Sequence, residues 1–451
     1  MYMKTLSLAL IALLAAYCSA RSQQYDFTAV EKLLQDSLLK LGRGAALVLI
    51  EDERIIYAKA FGKYSVDSVV PIASATKWYS GAVIMSLVDE GKLSLDDRLG
   101  KFFPGLPGAK AGITVRQLFS HTSGIEGEAT CLGNDNTTLE ECARQILEMP
   151  LQYSPGTMFI YGGSSMQVAG RIAEIVSGMP WDTLFRRRIA EPLGMTSTHY
   201  DGLGVTDNPR IPGGAASSGA DYARFMTMIL NGGTYEGRTV LSSNAVMTMM
   251  EDQTAGAPIV YSPYTQYGDI DPDFPQARYG IGVWREKIDG EGKLVEAASP
   301  GAFGFSPWVD LRRGYAGVLS IHGLMQIAAP TYVRLKQLLR GIIPVDSGVS
   351  SVTGTTYENS RSVILRQNYP NPFSSTSTIS FYLPSPGHVT LKLYDLLGRE
   401  TATLMDGEKI AGEHEVQVHA AMPGHTPMLP GTYICRLETA QGRASRVMQV
   451  E

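Results

Sequence analysis

The chain has 451 residues, 44% of them hydrophobic, which suffices for more than one well-packed domain and excludes a largely disordered protein. Its formal net charge of −5 and pI near 5.9, without a long lysine or arginine run, argue against nucleic acid as the main partner. After the N-terminal segment, no apolar run is long enough to span a bilayer.

The first 20 residues have the pattern of a signal peptide. A single lysine precedes an apolar run over 6–16, and small residues end the segment, so we expect cleavage after Ala20. The alternative is a lipid anchor on Cys18, which Tyr17 disfavours because lipoprotein signals resemble one another in having a small residue there. The segment therefore predicts a secreted or cell-surface protein.

Three further cysteines follow this segment. In an exported protein, Cys131 and Cys142 are more typical of a local disulfide than of a metal site, because they are close in sequence. Cys435 is left over and is expected to be buried.

The first predicted elements are a helix and a hairpin. Hydrophobic residues at helical spacing predict an amphipathic helix over 27–41. Two strands, 45–50 and 55–61, follow it and are joined by a polar turn. A helix before a hairpin indicates a mixed fold.

Residues 71–93 are predicted to form a buried helix with a nucleophile in its first turn. Ser74 and Lys77 are three residues apart, so their side chains share one face, with Cβ atoms roughly 5–6 Å apart. Desolvation and the positive end of the helix dipole favour a neutral lysine, which can take the serine proton. Ser37 and Lys40 have the same spacing by chance, so this motif alone is a weak signal.

His121 and Tyr161 are two further candidates for the site. Thr114 and Gln117 predict a capping box on a short helix, which places His121 near the end of that helix. We favour a packing role for His121 over a catalytic base, because Lys77 already supplies a base. Tyr161 precedes two glycines, which let a backbone approach a ligand closely, and a serine-capped helix is expected to follow and to end at Gly178.

The later part of the chain alternates in hydrophobicity. After a helix over 221–230, strands are predicted at 279–287, 293–298, 308–311 and 315–321, with a closing helix over 331–342. Strands at both ends of a helical middle predict one antiparallel sheet assembled from the two termini. Residues 346–364 have the composition of a linker, and 365–451 predict a small β-sandwich. His414 and His419 fall on opposite faces of one strand, which disfavours a metal site.

Several motifs together resemble those of the serine β-lactamase-related hydrolases. They are Ser74-Ala75-Thr76-Lys77, the run Leu87-Val88-Asp89-Glu90-Gly91-Lys92-Leu93-Ser94-Leu95-Asp96-Asp97, Leu118-Phe119-Ser120-His121-Thr122-Ser123-Gly124, and Pro155-Gly156 before Tyr161. The resemblance covers about residues 26–345 and is strongest to class C β-lactamases, family VIII carboxylesterases and D-alanyl-D-alanine carboxypeptidases. It implies a mixed α/β (α+β) fold of the β-lactamase/transpeptidase type, with an antiparallel sheet flanked by helices and a helical subdomain.

The resemblance also implies roles for individual residues. Ser74 becomes the nucleophile, Lys77 its base, and Tyr161 the acid/base near the leaving group. The third motif aligns with Ser299-Pro300-Gly301-Ala302, so the N–H groups of Ser74 and Ala302 would form the oxyanion hole. No metal or organic cofactor is implied.

The chain departs from the family pattern at two positions. Gly163 stands where the tyrosine motif usually ends in asparagine, and Ser299 stands where the third motif usually begins with lysine or histidine. The missing groups are those expected to hold the amide and the carboxylate of a β-lactam, so an ester or amide of a less acidic acyl group fits better. No Gly-x-Ser-x-Gly elbow occurs, which disfavours an α/β-hydrolase.

The C-terminal segment resembles a second family, the type A sorting domain of cargo for the type IX secretion system. The motifs are Arg366-Gln367-Asn368-Tyr369-Pro370-Asn371-Pro372-Phe373, Leu393-Tyr394-Asp395-Leu396-Leu397-Gly398-Arg399-Glu400, and Gly431-Thr432-Tyr433. This resemblance implies an outer-membrane export address recognised by the secretion machinery. The alternative is an adhesive or carbohydrate-binding sandwich.

The sequence thus predicts an exported serine hydrolase that forms an acyl-enzyme, most simply a carboxylesterase or amidase. One alternative is a D-alanyl-D-alanine carboxypeptidase or weak β-lactamase, and another is a catalytically silent binding module of the same fold. Residues 127–150 and 253–277 are expected to supply the pocket walls. The aromatic residues of the second segment fit an acyl pocket or simple loop packing equally well, and they are Tyr261, Tyr264, Tyr267 and Phe274.

Overall fold

A computed structural model describes residues 25–345, 363–365, 368, 371–383, 385–395, 399–420, 428–440 and 442–450. The predicted signal peptide and most of the predicted linker lie outside these residues. So do parts of the first two sorting-domain motifs, at 366–367, 369–370 and 396–398.

One seven-stranded antiparallel sheet organises the first domain. Its strands are β1 (Gly44–Glu51), β2 (Arg54–Gly62), β3 (Arg278–Tyr279), β4 (Trp284–Ile288), β5 (Leu294–Ala298), β6 (Ser306–Asp310) and β7 (Tyr315–Ser320). The spatial order is β2-β1-β7-β6-β5-β4-β3. Strand β1 is buried along nearly its whole length and pairs with β7, with Val48 opposite Val318. The predicted sheet built from the two termini is therefore confirmed.

Seven helices of eight or more residues are present in the described part of this domain. They are α1 (Thr28–Asp36), α2 (Thr76–Asp89), α3 (Leu139–Glu148), α4 (Ser164–Ser177), α5 (Gly219–Leu230), α6 (Ser243–Met250) and α7 (Met325–Ile342). Shorter helices span Leu99–Phe102, Gly108–Ala111, Val115–Phe119, Trp181–Phe185 and Glu191–Leu193, a π-turn spans Arg186–Ala190, and 3-10 turns span Ala73–Ala75, Thr130–Gly133, Pro263–Tyr267 and Phe274–Gln276. Two-residue and three-residue strands pair Val70–Pro71 with Ala216–Ser217, Phe159–Ile160 with Ile259–Tyr261, and Thr234–Tyr235 with Arg238–Thr239.

Helix α2 is the buried helix that the sequence predicted. Every residue from Thr76 to Leu87 is buried, which is the behaviour of a helix enclosed on all sides. Gly91 follows it with φ +69°, a left-handed conformation that glycine adopts without strain. The capping box of Thr114 and Gln117 is also present, at the start of the helix Val115–Phe119.

The predicted strand 279–287 is wrong in one respect, because residues 280–283 interrupt it between β3 and β4. Gly282 has φ +80°, and a Cβ there would lie 2.1 Å from the Lys77 carbonyl oxygen. The interruption therefore brings this turn directly against α2. A glycine within an alternating pattern is the sequence signal for such a close approach.

Three helix predictions also need correction. Helix α1 ends at Asp36 rather than 41, and α7 begins at Met325 and continues through Pro330. No serine side chain caps α4, since its N-cap is Gly163; the Ser164 hydroxyl instead donates to the Gly127 carbonyl at 3.1 Å. Gly178 ends α4 with φ +68°, as predicted.

The C-terminal segment forms the predicted β-sandwich. Its strands are β8 (Ile364–Leu365), β9 (Thr376–Leu383), β10 (Gly387–Tyr394), β11 (Glu400–Lys409), β12 (Gly412–His419), β13 (Gly431–Thr439) and β14 (Gly442–Val450). They form one sheet in the order β8-β9-β12 and another in the order β11-β10-β13-β14. Buried side chains that include Phe381, Leu391, Leu437 and Cys435 make its core. Cys435 is a free thiol, as expected.

Among the described residues, no helix combines the length and the hydrophobicity that crossing a membrane requires.

Candidate active site

The Ser74 hydroxyl and the Lys77 amine lie at hydrogen-bond distance at the start of α2. Lys77 Nζ donates to Ser74 Oγ at 3.0 Å and to the Pro212 carbonyl oxygen at 2.9 Å. Lys77 is 3% exposed, whereas Ser74 is only half-buried. The hydroxyl is therefore accessible while the amine below it is shielded from water.

The backbone around Ser74 is held in an uncommon conformation. Ala73 has φ +45°, which disfavours any residue with a Cβ and persists only where neighbouring contacts impose it. Two such contacts are close by: the Tyr222 hydroxyl donates to the Ala75 carbonyl at 2.8 Å, and the Ala215 N–H donates to Thr76 Oγ1 at 3.1 Å. Tyr222 of α5 and Ala215, which directly precedes the short strand Ala216–Ser217, therefore hold this turn in place.

Burial gives Lys77 the character of a base. Desolvation lowers the pKa of its amine to about 8, although the Glu128 carboxylate acts in the opposite direction. A neutral amine carries a lone pair that can accept the Ser74 proton. A substantial fraction of Lys77 is therefore neutral in mildly alkaline solution.

The Tyr161 ring lies next to the Lys77 amine. The Lys77 amine is 4.8 Å from the centre of the Tyr161 ring, which also stacks on Trp284 at 5.0 Å. Burial raises the pKa of the Tyr161 phenol, partly offset by its hydrogen bond with Ser74. Tyr161 is therefore a neutral hydroxyl beside the Ser74 hydroxyl rather than a phenolate.

The segment 299–302 reaches the same place from the end of β5. Ser299 Oγ lies 3.3 Å from the Ser74 carbonyl oxygen and 3.3 Å from that of Gly282. A Cβ at Gly301 would lie 2.0 Å from the Ile72 carbonyl oxygen, so only glycine permits this approach. Ala302 is exposed, and within the described residues neither its N–H nor that of Ser74 has a protein acceptor.

The structure thus brings together five of the sequence-predicted site residues, which are Ser74, Lys77, Tyr161, Ser299 and Gly301. Ser74, Lys77 and Tyr161 meet at one oxygen, and the third segment packs against the turn that carries Ser74. The three segments are far apart along the chain: the turn before α2 carries Ser74, the loop before α4 carries Tyr161, and residues 299–302 follow β5.

A model of the Beta-lactamase family matches residues 39–326, more than half of the chain. The chain belongs to the Beta-lactamase family. A solved β-lactamase-like protein from Bacteroides dorei DSM 17855 is 33% identical, with a TM-score of 0.62, covering 69% of this chain and 100% of that one. EstCE1, a hydrolase with promiscuous acyltransferase activity, shares the fold at 18% identity and TM-score 0.56, covering 68% of this chain and 96% of that one.

A curated relative adds a penicillin-binding protein to these neighbours. Penicillin-binding protein 4 of Amycolatopsis lactamdurans is 30% identical over 221 residues, or 42% of this chain. The chain therefore spans 58% of the length of this relative, less than two thirds of it.

The surroundings of Gly163 are crowded, so the asparagine that the family pattern places there would require neighbouring side chains to shift. A Cβ at this position would lie 2.9 Å from Pro212 Cγ, 3.0 Å from Leu132 Cδ1 and 3.3 Å from Glu128 Oε2. These neighbours fill the volume of the missing side chain. Sequence analysis missed both Glu128 and the Pro212 carbonyl, because neither belongs to a periodic pattern or a family motif.

His121 lies beneath Tyr161 and packs there, as the sequence analysis favoured. Its ring centre is 4.6 Å from that of Tyr161 and 4.6 Å from that of Tyr279. Burial, together with the nearby Lys77, holds its pKa well below the usual range, so the imidazole is neutral. Neither ring nitrogen has a hydrogen-bond partner among the described residues, which fits an aromatic packing role.

The aromatic residues of 253–277 divide into two groups. Tyr264, Tyr267 and Phe274 are buried, so they pack the loop. Tyr261 is 55% exposed, and its carbonyl accepts from the Tyr161 N–H at 3.1 Å. Of the four, Tyr261 is therefore the one whose side chain is exposed, and its backbone is bonded to that of Tyr161.

A buried ionic cluster supports the strand that carries Trp284. The Tyr264 ring packs at a tilt against Trp284, with the ring centres 4.6 Å apart, and the Tyr264 hydroxyl donates to Glu286 at 2.9 Å. Glu286 in turn pairs with Lys336 of α7, and Lys336 also contacts Glu296 at 2.6 Å. Trp284, on which the Tyr161 ring stacks, is thus linked through Tyr264 and Glu286 to Lys336 of α7.

No group of three or more His, Cys, Asp or Glu side chains within the described ranges is arranged to hold a metal ion. Cys131 and Cys142 form the predicted disulfide. It joins the turn Thr130–Gly133 to α3.

Proposed function

We propose that this chain is an exported serine hydrolase that forms an acyl-enzyme on Ser74 and cleaves carboxylic esters or amides. The observation that carries the proposal is the 3.0 Å hydrogen bond between Lys77 Nζ and Ser74 Oγ, with the lysine buried. A serine beside a desolvated amine is an activated nucleophile.

In the proposed reaction, neutral Lys77 accepts the Ser74 proton as Oγ attacks the substrate carbonyl carbon. The Tyr161 hydroxyl donates its proton to the leaving oxygen or nitrogen and regains one from Lys77. Water then attacks the acyl-enzyme, losing its proton to the same pair, and the acid leaves with Ser74 restored. Each half-reaction returns Lys77 to its neutral state.

The developing oxyanion needs hydrogen-bond donors, and we assign this role to the N–H groups of Ser74 and Ala302. Both lack protein acceptors within the described residues and so remain available to a ligand. Preorganised backbone donors of this kind contribute roughly 10²–10³ in rate each. Ser299, Pro300 and Gly301 form the rest of this wall.

A substrate with a less acidic acyl group fits this site better than a β-lactam. Gly163 and Ser299 replace the groups expected to hold the β-lactam amide and carboxylate, and the volume beside Gly163 is filled. The similarity to a penicillin-binding protein favours a second candidate, a carboxypeptidase or weak β-lactamase acting on cell-wall-like peptides. A catalytically silent module is the remaining alternative.

The decisive experiment compares wild type with Ser74→Ala on p-nitrophenyl acetate. We expect Ser74→Ala to remove essentially all turnover, and equal rates would exclude the mechanism. Nitrocefin measured beside the ester separates a β-lactamase from an esterase. Mass spectrometry after a fluorophosphonate probe tests the silent alternative, because an inactive site leaves Ser74 unlabelled.

We further propose that residues 1–20 are a signal peptide, 26–345 the hydrolase, 346–364 a linker, and 365–451 an export address for the type IX secretion machinery. The sorting-domain motifs and the β-sandwich formed by the described C-terminal residues support the last assignment. The protein would then be secreted or held at the cell surface. Deleting 365–451 in a host with this machinery should trap active hydrolase in the periplasm; unchanged export would refute the assignment.

A further inference from the structure

The Glu128 side chain is an acidic group at the candidate active site that the proposed reaction does not use. Its Oε2 atom is 3.3 Å from the position of a Cβ on Gly163, two residues after Tyr161. The residue is exposed to solvent, so a ligand can reach it. The same Cβ position lies 2.9 Å from Pro212 Cγ, and the Pro212 carbonyl accepts from Lys77 Nζ at 2.9 Å, so Glu128 lies close to a residue that holds Lys77.

The loop that carries Glu128 is held firmly over α4. The Gly127 carbonyl accepts from the N–H groups of Gly163 and Ser164 at 2.8 and 3.1 Å. On the other side of Glu128, the Ala129 N–H donates to Ser164 Oγ at 2.8 Å. The backbone on both sides of Glu128 is thus bonded to one helix start, which is how a preorganised binding group is supported.

The loop is also anchored further along the chain. Cys131, three residues after Glu128, is bonded to Cys142 of α3. The Cys131 carbonyl additionally accepts from Asn208 Nδ2 at 2.9 Å. These links fix the distance between Glu128 and the site by contacts that have no role in the proposed reaction.

The carboxylate lacks a permanent cationic partner. Within the described ranges, no lysine, arginine or histidine nitrogen lies within 4.0 Å of it. Neighbouring atoms desolvate it, which raises its pKa, while Lys77 and the Gly163 amide act in the opposite direction. Lys77 is an intermittent counter-charge, since the reaction needs it neutral.

We infer that Glu128 binds a protonated amine on the acyl part of the substrate, so that the preferred substrates are esters or amides of amino acids with a free amino group. This inference rests on the proposed function. The side of the substrate follows from Gly163: the asparagine missing there is the group expected to hold the amide of a β-lactam's acyl substituent. A carboxylate in the same volume accepts from an ammonium group instead.

The test uses two esters that differ only in the amine, alanine ethyl ester and ethyl propionate, with both enantiomers of alanine. At pH 7 the α-amine, whose reference pKa is about 7.7–8.0, is mostly protonated. Values of kcat/KM come from acid release and are divided by each ester's hydroxide-catalysed rate, which removes the intrinsic reactivity of the amino ester. The enzymes are wild type, Glu128→Gln and the matched control Glu126→Gln, which changes a neighbouring acidic residue of the same loop.

We expect wild type to prefer at least one alanine ester, and Glu128→Gln to lower that preference about tenfold, the lower end for a charge-assisted hydrogen bond at an exposed site. Any effect of the substitution on Lys77 is common to both esters, so it cancels in the ratio of their kcat/KM values and leaves the contribution of the amine. Added salt should weaken the wild-type preference but not that of Glu128→Gln. Glu126→Gln should behave as wild type.

Several outcomes would overturn the inference while leaving the hydrolase intact. They are a wild-type ratio near one, an unchanged ratio in Glu128→Gln, and an equal loss for both esters, which would show that Glu128 only supports the loop or Lys77. Absence of Ser74-dependent turnover of the alanine esters would do the same. Failure of the proposed function looks different, since turnover of p-nitrophenyl acetate would then persist in Ser74→Ala.

Discussion

The lowered pKa of Lys77 makes a quantitative prediction for the pH dependence of ester hydrolysis. With a pKa of about 8, roughly 9% of Lys77 is neutral at pH 7, against about 0.03% for an unperturbed lysine. Burial therefore raises the active fraction about 300-fold at that pH. We expect kcat/KM for p-nitrophenyl acetate to rise tenfold per pH unit below about pH 7 and to level off above about pH 8.

The assay is initial-rate kinetics from pH 5.5 to 9.5, with the rate of Ser74→Ala subtracted at each pH. Because kcat/KM reports the free enzyme, its midpoint is the pKa of the essential base before substrate binds. A profile that still rises at pH 9.5 with unit slope would show an unperturbed lysine and refute this account. A pH-independent rate would exclude Lys77 as the base.

The lowered pKa of Lys77 also affects the free energy of unfolding. Unfolding returns the Lys77 pKa from about 8 to about 10.5, so below pH 8 the unfolded chain binds a proton more tightly, which costs the folded state about 3 kcal/mol. That cost fades as the pH rises from 8 to 10.5. Lys77→Met should therefore raise the unfolding free energy at pH 7 by about 1–3 kcal/mol, after its lost hydrogen bonds are allowed for, and by less at pH 10. Equal differences at both pH values, measured by urea titration, would contradict this.

Three further substitutions test the geometry. Tyr161→Phe keeps the ring on Trp284 but loses the proton donor, so kcat/KM should fall roughly 10²–10⁴-fold with unfolding unchanged; a small kinetic effect would remove Tyr161 from the mechanism. Gly301→Ala should cost roughly 10²–10³ in rate by displacing the Ala302 N–H, whereas Gly290→Ala, with open space around it, should be silent. Lys336→Met leaves the buried Glu286 without its cation, although Glu296 keeps Arg340, and should lower the urea-measured unfolding free energy by about 3–5 kcal/mol; an unchanged unfolding free energy would refute this contribution of the ion pair.

The parts of the site that a local pattern encodes were predictable from the sequence. Ser74 and Lys77 share one helical face because three residues make nearly one turn, so their contact follows from spacing alone. The sheet from both termini followed from where the alternating segments lie. Tyr161 and residues 299–302 came from the resemblance, since no periodicity connects them to Ser74.

Other features depend on contacts between distant segments. Glu128 reaches the site because Gly163 leaves space beside it and Ser164 holds its loop. The sequence placed 127–150 in the pocket walls, but nothing in it singled out Glu128 within that range. The break at 280–283 was also missed, although Gly282 was the available signal: its fit against the Lys77 carbonyl overrides the alternating pattern of the flanking residues.

The pairing of β1 with β7 sets the order of events during synthesis. Strand β1 pairs with β2 directly after it in the chain, but its other partner is β7, so that side of β1 stays unpaired until most of the hydrolase segment has left the ribosome. Contacts of such long sequence separation slow folding, because the loop must close before they form. A nascent chain cut short before β7 should therefore be unable to shield Lys77 from water, and catalytic competence should appear late and abruptly as the chain lengthens.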